Sequence, residues 1–382
     1  MSTFSNDFRQ VLVLQGGGAL GSYQAGAFAR MAQDGYRPDY VAGISIGAIN
    51  AALIAGNKPR DRVARLRAFW ERVTRGEWWG NAWIGMIDPF VERGRINQLR
   101  AAQAMFAGVE GFYQPRQPAP FLQRPGTAAA LSYYDTSALR ETLLELVDFD
   151  YLNASRVRLA VGAVNIETGN QEYFDNSRMK IGPEHIMASG ALPPGFPPVE
   201  IDGQYYWDGG IVSNTPLSYV LDNHDPGEDL AIFQFDLFDA QGKMPRTLGD
   251  IEAREKDIRF SSRTRYSSDE IARLLELRAA IGSLYDKLPK ALRDSDEARL
   301  LMQARHEGRV LLVQMIYRQA QYEKGSKDYE FSRRSMRDHW QAGEDDTART
   351  LRHADWIRAQ IEKRPLAVLD FSKPDPVARQ VA

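Results

Sequence analysis

Two glycines bracket a serine in Val41-Ala42-Gly43-Ile44-Ser45-Ile46-Gly47-Ala48-Ile49-Asn50. An apolar strand that turns sharply into a small-residue helix places Ser45 at the bend, the pattern of a nucleophile elbow. Side chains at Gly43 or Gly47 collide with their neighbours in so tight a turn, and glycine tolerates its strained backbone. The Ser45 hydroxyl then stands at the amino end of the helix. Free N–H groups and the helix dipole there favour a developing negative charge. The chemistry that fits is acyl transfer through a serine nucleophile; the plainer reading is a Gly-rich strand-to-helix turn that happens to hold a serine.

An earlier stretch, Gln15-Gly16-Gly17-Gly18-Ala19-Leu20-Gly21, reads in two ways. It satisfies G-x-G-x-x-G between a strand and a helix, the context of a dinucleotide-binding loop, so an oxidoreductase competes. That fingerprint needs an acid at the end of the second strand. Gly43-Ile44-Ser45 stands there, and Asp39 precedes the strand. Successive glycines also let several backbone N–H groups crowd around one oxygen, as an oxyanion hole requires. A glycine loop followed closely by an elbow favours this second reading.

A serine nucleophile needs a group to take its proton. The five histidines are His185, His224, His306, His339 and His353. The last three lie on charged, helix-period sequence and His224 in an Asn-His-Asp-Pro turn. His185 is the best placed of the five, yet no acid evidently orients it. Asp208 is the stronger candidate. It follows Tyr205-Tyr206-Trp207 and precedes Gly209-Gly210, so its carboxylate projects from a strand end. A carboxylate in contact with Ser45 acts as a general base once an apolar pocket raises its pKa. An aspartate that merely caps the Gly-Gly turn is the competing reading.

The elements that must carry these residues alternate. Val11–Leu14 reads as a buried parallel strand, Ser22–Asp34 as a helix, Tyr40–Ile44 as the next strand, and Ser45–Gly56 and Asp61–Arg75 as helices. That order predicts an α/β sandwich with a mostly parallel sheet. Further on, Ala138–Val147 and Pro183–Ser189 read as helices, with strands at Val157–Asn165, Gln171–Phe174, Tyr205–Trp207 and Leu230–Phe238. From about residue 242 the sequence turns charged and helix-periodic. We expect helices at Asp269–Ile281, Asp294–His306, Tyr329–Gln341 and Thr347–Lys363, with a boundary near 240. Arg333, Arg334 and Arg337 form a basic cluster there, which reads as a solvated helix face. Residues 76–90 hold Trp78, Trp79 and Trp83 and read either as a lid over the site or as core.

Composition sets the remaining bounds. With 382 residues the chain is long enough for one large domain and an appendage, and its 43% hydrophobic content supports a sizeable core. A net charge of −2 gives no global field that would recruit nucleic acid or an anionic membrane. The lack of cysteine excludes disulfides, thiol catalysis and cysteine metal sites, and fits a reducing compartment. Residues 1–10 are polar without a secretory apolar region, and the apolar stretch Val41–Gly56 is too short to span a bilayer. These features predict a soluble cytoplasmic protein.

Gly16-Gly17-Gly18-x-x-Gly21, Gly43-x-Ser45-x-Gly47 and Asp208-Gly209-Gly210, in that order, resemble the patatin-like phospholipase family. The connecting stretch Ala188-Ser189-Gly190-Ala191-Leu192-Pro193, with Phe196-Pro197-Pro198-Val199 and Asn214-Thr215-Pro216-Leu217, is similar as well. The likeness covers residues 9–240, and the tail around Lys327–Arg334 is similar to an extension of some bacterial members. It implies a three-layer α/β sandwich with a mainly helical extension over 241–382. It implies Ser45 as nucleophile, Asp208 as base and the Gly16–Gly18 amides as oxyanion hole. The implied reaction is hydrolysis of lipid acyl esters through an acyl-serine, with no metal or cofactor and with transient contact at a membrane surface. Leu20 stands where many members carry Arg or Lys, which keeps the backbone donors and removes a nearby cation. An esterase or thioesterase for short acyl or hydroxyacid substrates, and a non-catalytic lipid-binding regulator, are the alternatives.

Overall fold

Ten strands form one sheet in the computed structural model, which describes residues 8–76, 91–225, 227–303, 308–318, 323, 325–363, 366–370 and 377–378. They are β1 (Arg9–Leu14), β2 (Tyr40–Ile44), β3 (Arg158–Asn165), β4 (Gln171–Asp175), β5 (Val199–Ile201), β6 (Gln204–Asp208), β7 (Leu230–Asp236), β8 (Val310–Ile316), β9 (Leu366–Asp370) and β10 (Val377–Ala378). The order across the sheet is β10-β9-β8-β7-β1-β2-β3-β6-β5, with β4 also on β3. The run from β9 to β3 is parallel. The remaining pairings are antiparallel. The inner strands read as unbroken apolar runs because helices cover both faces. β2 is buried throughout, and so is β7.

Register on β3 brings the two halves of the site together. β4 pairs with Ala160–Val164 along one edge of β3. The other edge is shared. β2 occupies Arg158 to Gly162, with Ile44 opposite Gly162. Asp208 of β6 then lies opposite Ala163, the next residue along. β6 therefore enters the space that β2 vacates where the chain bends at Ser45. A separation of more than 160 positions in sequence becomes adjacency at one strand edge.

Helices α1 (Gly21–Gln33), α2 (Ile46–Ala55) and α3 (Arg62–Val73) follow the first strands as expected. The C-terminal part is mainly helical, with a 40-residue helix α4 (Leu248–Lys287) and a 19-residue helix α5 (Arg333–Leu351). It also differs from the sequence reading. Val310–Ile316 is a buried strand that pairs with β7 and extends the same sheet past residue 240. α5 lies along α1 at unusually close range. A Cβ on Gly26 would sit 2.0 Å from the Trp340 carbonyl oxygen, and one on Gly343 would sit 2.1 Å from that of Tyr23. The Tyr23 hydroxyl donates to Asp346 at 2.9 Å across the same seam. The Trp-rich reading at 77–90 lies outside the described residues.

Candidate active site

Ser45 is the bend between β2 and α2. Its φ of 55° and ψ of −124° lie in a region that non-glycine residues rarely adopt. The turn is as tight as the glycine spacing requires. A Cβ on Gly43 would stand 2.3 Å from the Gly47 carbonyl oxygen, and one on Gly47 would stand 2.3 Å from that of Leu14. Strain of this kind persists only where neighbours hold it. One such neighbour is Ser189, wholly buried, whose hydroxyl accepts the Ser45 N–H at 3.0 Å and donates to the Gly162 carbonyl at 2.6 Å.

Asp208 ends β6 and is buried. Its carboxylate accepts the Ser45 hydroxyl, and it accepts the Gly210 N–H at 2.7 Å. Burial pushes its pKa from the ordinary 3.8 up to about 6, against the pull of those two hydrogen bonds. Gly209 is required for close packing, since a Cβ there would meet the Gly162 carbonyl at 2.5 Å.

The glycine loop lies beside the serine. The Gly16 N–H donates to the Asn214 carbonyl at 3.2 Å, and Asn214 returns its side-chain amide to the Gly16 carbonyl at 3.0 Å. Gly16 is thus committed to holding the loop. Gly17 and Gly18 are partly exposed at the cavity. Gln15 anchors the loop to the end of β7 by accepting the Leu237 N–H at 2.6 Å. Beneath it, Gln24 donates to the Gln15 carbonyl at 2.7 Å, and Asn50 donates to the Gly21 carbonyl at 2.9 Å and to Gln24 at 3.0 Å. A Cβ on Gly21 would meet Ile46 at 2.6 Å, so this glycine lets α1 and α2 start side by side. Leu20 is fully buried.

Above Ser45 is a cavity of about 210 Å³, walled mainly by Ile46, Ile49, Phe112, Phe196 and Phe238. Part of its wall comes from the C-terminal part. The Asp328 carbonyl accepts the Ala19 N–H at 2.8 Å, and Tyr329 and Phe331 face the cavity. The Asp328 carboxylate pairs with Lys256 of α4 at 2.7 Å, and Lys327 pairs with Asp257 at 2.6 Å, its side chain almost wholly buried.

Three of the described histidines, His185, His224 and His339, make contacts of their own away from Ser45. His185 accepts the Gly182 N–H at 2.9 Å, capping its own helix, and lies edge-on to Phe174. His339 pairs with buried Glu323 at 2.5 Å, and His224 bonds the Leu221 carbonyl. His306 lies outside the described residues. Among the described residues no group of three or more His, Asp or Glu side chains is arranged to hold a metal ion. Ser189 and Asn214 escaped functional assignment in the sequence; both stand in stretches whose likeness to the family was legible, but neither carries a chemical signature of its own.

Comparison with known protein families identifies the protein as a lipid hydrolase. The patatin-like phospholipase family matches residues 12–221, more than half of the chain, and the chain belongs to that family. A second family described as patatin phospholipase matches residues 258–363. No curated protein matches. Among solved structures the chain is similar to VipD from Legionella pneumophila, at 14% identity and a TM-score of 0.39, covering 92% of this chain and 68% of that one. It is also similar to a chain of the complex of full-length SpcU with full-length ExoU from the type III secretion system of Pseudomonas aeruginosa. That likeness has 15% identity and a TM-score of 0.27, covering 78% of this chain and 68% of that one.

Proposed function

We propose that the protein hydrolyses lipid acyl esters with Ser45 as nucleophile and Asp208 as general base. The Ser45 proton passes to Asp208 as the serine oxygen attacks the acyl carbonyl. The Gly17 and Gly18 amides receive the oxyanion. The alcohol leaves with a proton, and an acyl-serine remains. Water then gives a proton to Asp208 and its oxygen to the acyl carbon, and Ser45 is restored. The observation that carries this reading is the hydrogen bond between the elbow serine and a buried carboxylate at the floor of an apolar cavity.

Ser45→Ala and Asp208→Asn are each expected to lower turnover on p-nitrophenyl esters and on phospholipid by on the order of 10⁴-fold. A fluorophosphonate probe is expected to label the unaltered protein and not Ser45→Ala. Wild-type turnover by either variant defeats the assignment, and an unlabelled, inert wild type favours the non-catalytic lipid-binding regulator. One observation supports an esterase or thioesterase for short acyl groups as the second reading. The cavity's volume of about 210 Å³ is below the roughly 300–1,000 Å³ typical of ligand sites. A chain-length series of esters decides between them.

We further propose that the protein works at a membrane surface, in a reducing compartment such as the cytoplasm. Among the described residues no helix is long and apolar enough to cross a membrane. Phe106 is 85% exposed, Phe121 84% and Leu122 68%, more than a wetted surface favours for such large apolar groups. The segment that holds Phe121 and Leu122 runs on to Tyr133 and Tyr134. These donate to the Pro194 and Gly195 carbonyls, next to the cavity-lining Leu192 and Phe196. Phe121→Ser with Leu122→Ser is expected to abolish co-flotation with phospholipid vesicles; undiminished flotation excludes this face as the contact.

A further inference from the structure

The stretch Lys327-Asp328-Tyr329-Glu330-Phe331 runs as a strap between α4 and the glycine loop. Two consecutive residues of α4 hold it. Lys256 donates to both Asp328 carboxylate oxygens, at 2.7 and 3.0 Å, and to the Gly325 carbonyl at 2.7 Å. Asp257 accepts from Lys327 at 2.6 Å. The sign of charge alternates between the two pairs. A slip of the strap by one residue brings Lys to Lys or Asp to Asp, so the pairs fix its register as well as its position. Both ammonium groups also lie over rings that line the cavity. Lys256 is 4.6 Å from the centre of the Tyr329 ring, and Lys327 is 5.4 Å from that of Phe238.

Asp328 faces two ways. Its carboxylate goes to α4, and its backbone carbonyl accepts the Ala19 N–H at 2.8 Å. The approach to the loop is close. A Cβ on Gly18 would stand 2.0 Å from that same carbonyl oxygen, and Gly18 has a φ of 55°. Gly17 is seated on the end of β7, where a Cβ would meet Leu237 at 2.7 Å. The loop is therefore held by β7 at Gly17 and by the strap at Ala19. Ala19 carries the next amide after the two proposed to receive the oxyanion. Tying that amide to Asp328 fixes the peptide plane between Gly18 and Ala19, and with it the aim of the Gly18 N–H. Three glycines in a row cannot hold such an aim by themselves, because glycine has so many accessible conformations. An oxyanion hole works only when its donors are set in place beforehand.

We propose that Lys256 and Asp328 are positioning residues: through the Asp328 carbonyl they hold Ala19 and so aim the Gly18 amide at the oxyanion. This rests on the reading of Ser45 as nucleophile. The C-terminal part then contributes to the rate of the chemical step, beyond walling the cavity. A plain clip between α4 and the strap would contribute to stability alone.

Two measurements separate these roles, with a melting temperature to check that each variant folds. The first is steady-state hydrolysis of a soluble p-nitrophenyl ester by Lys256→Gln, by Asp328→Asn and by the two combined. Each single change is expected to lower kcat about tenfold and to leave KM within about twofold. The combined variant should be no slower than the slower single one, because both changes break one contact. Lys256→Arg, which keeps the charge, should recover most of the loss. The second is hydrogen exchange at the Ala19 amide in a Ser45→Ala background, which needs no catalysis. Adding Lys256→Gln is expected to speed that exchange about tenfold. Lower melting temperatures with kcat unmoved overturn the proposal in favour of the clip. Unmoved exchange at Ala19 overturns it even where kcat falls. A change confined to KM also overturns it and assigns the strap to substrate binding. If wild type hydrolyses no ester, the reading of Ser45 fails on its own account, and exchange at Ala19 alone decides whether the strap holds the loop.

Discussion

Asp208 pays for its position. Desolvation raises its carboxyl to about 6, close to working pH, where a base accepts a proton readily and still starts ionised. Only the carboxylate form can take the Ser45 proton. We therefore expect kcat/KM on a soluble ester to fall about tenfold per pH unit below pH 6 and to level off above it. A flat profile between pH 4.5 and 7 contradicts the role of Asp208. The same shift has a stability consequence. The folded state holds this proton more tightly than the unfolded chain does, so stability is lost as pH rises through about 6. Asp208→Asn removes that loss. We expect its melting temperature to exceed the wild-type value at pH 8, with the margin shrinking toward pH 4. An unchanged margin across that range, measured by calorimetry, rules the linkage out. The roles proposed for Ser45 and Asp208 start from short sequence motifs whose glycines have local causes. The hydroxyl of Ser189 and the backbone oxygen of Asn214 were not legible in the sequence, because their roles depend on contacts made only after folding.

At the scale of elements, the seam between α1 and α5 is set by Gly26 and Gly343, which let two helix backbones come nearly into contact. The expected outcome of Gly343→Ala is a loss of about 2 kcal/mol or more, since the new methyl meets the Tyr23 carbonyl oxygen 2.1 Å away and the helices must separate. Urea unfolding checks this; an unmoved midpoint means the seam is more yielding than the geometry implies. The first strands and helices could be read from sequence because hydrophobic period and glycine punctuation are local signals. Val310–Ile316 was missed because charged helical sequence surrounds it. Its apolar run makes sense only as a strand buried on both faces, and that depends on β7, more than 70 positions earlier. The pairing of Lys256 with Asp328 and of Asp257 with Lys327 was equally out of reach, since it joins two stretches far apart in the chain.

For the whole molecule, the sheet runs unbroken across residue 240. Our proposal for the domains is a patatin-like unit over 9–240 that is completed by 241–382, with β8 covering the edge of β7 and α5 covering α1. A chain ending after residue 241 bares a fully buried strand edge and an apolar helix face. We expect it to aggregate when expressed alone and to show no esterase activity. A soluble, active fragment would establish 9–240 as an independent domain instead.

The contact between Asp328 and the glycine loop has a consequence for how the protein is made. Ala19 leaves the ribosome some three hundred residues before its hydrogen-bond partner does. Until that late segment emerges, the nascent polypeptide has its serine but not the wall formed by Tyr329 and Phe331. An unfinished chain therefore carries its serine in a cavity that lacks one wall.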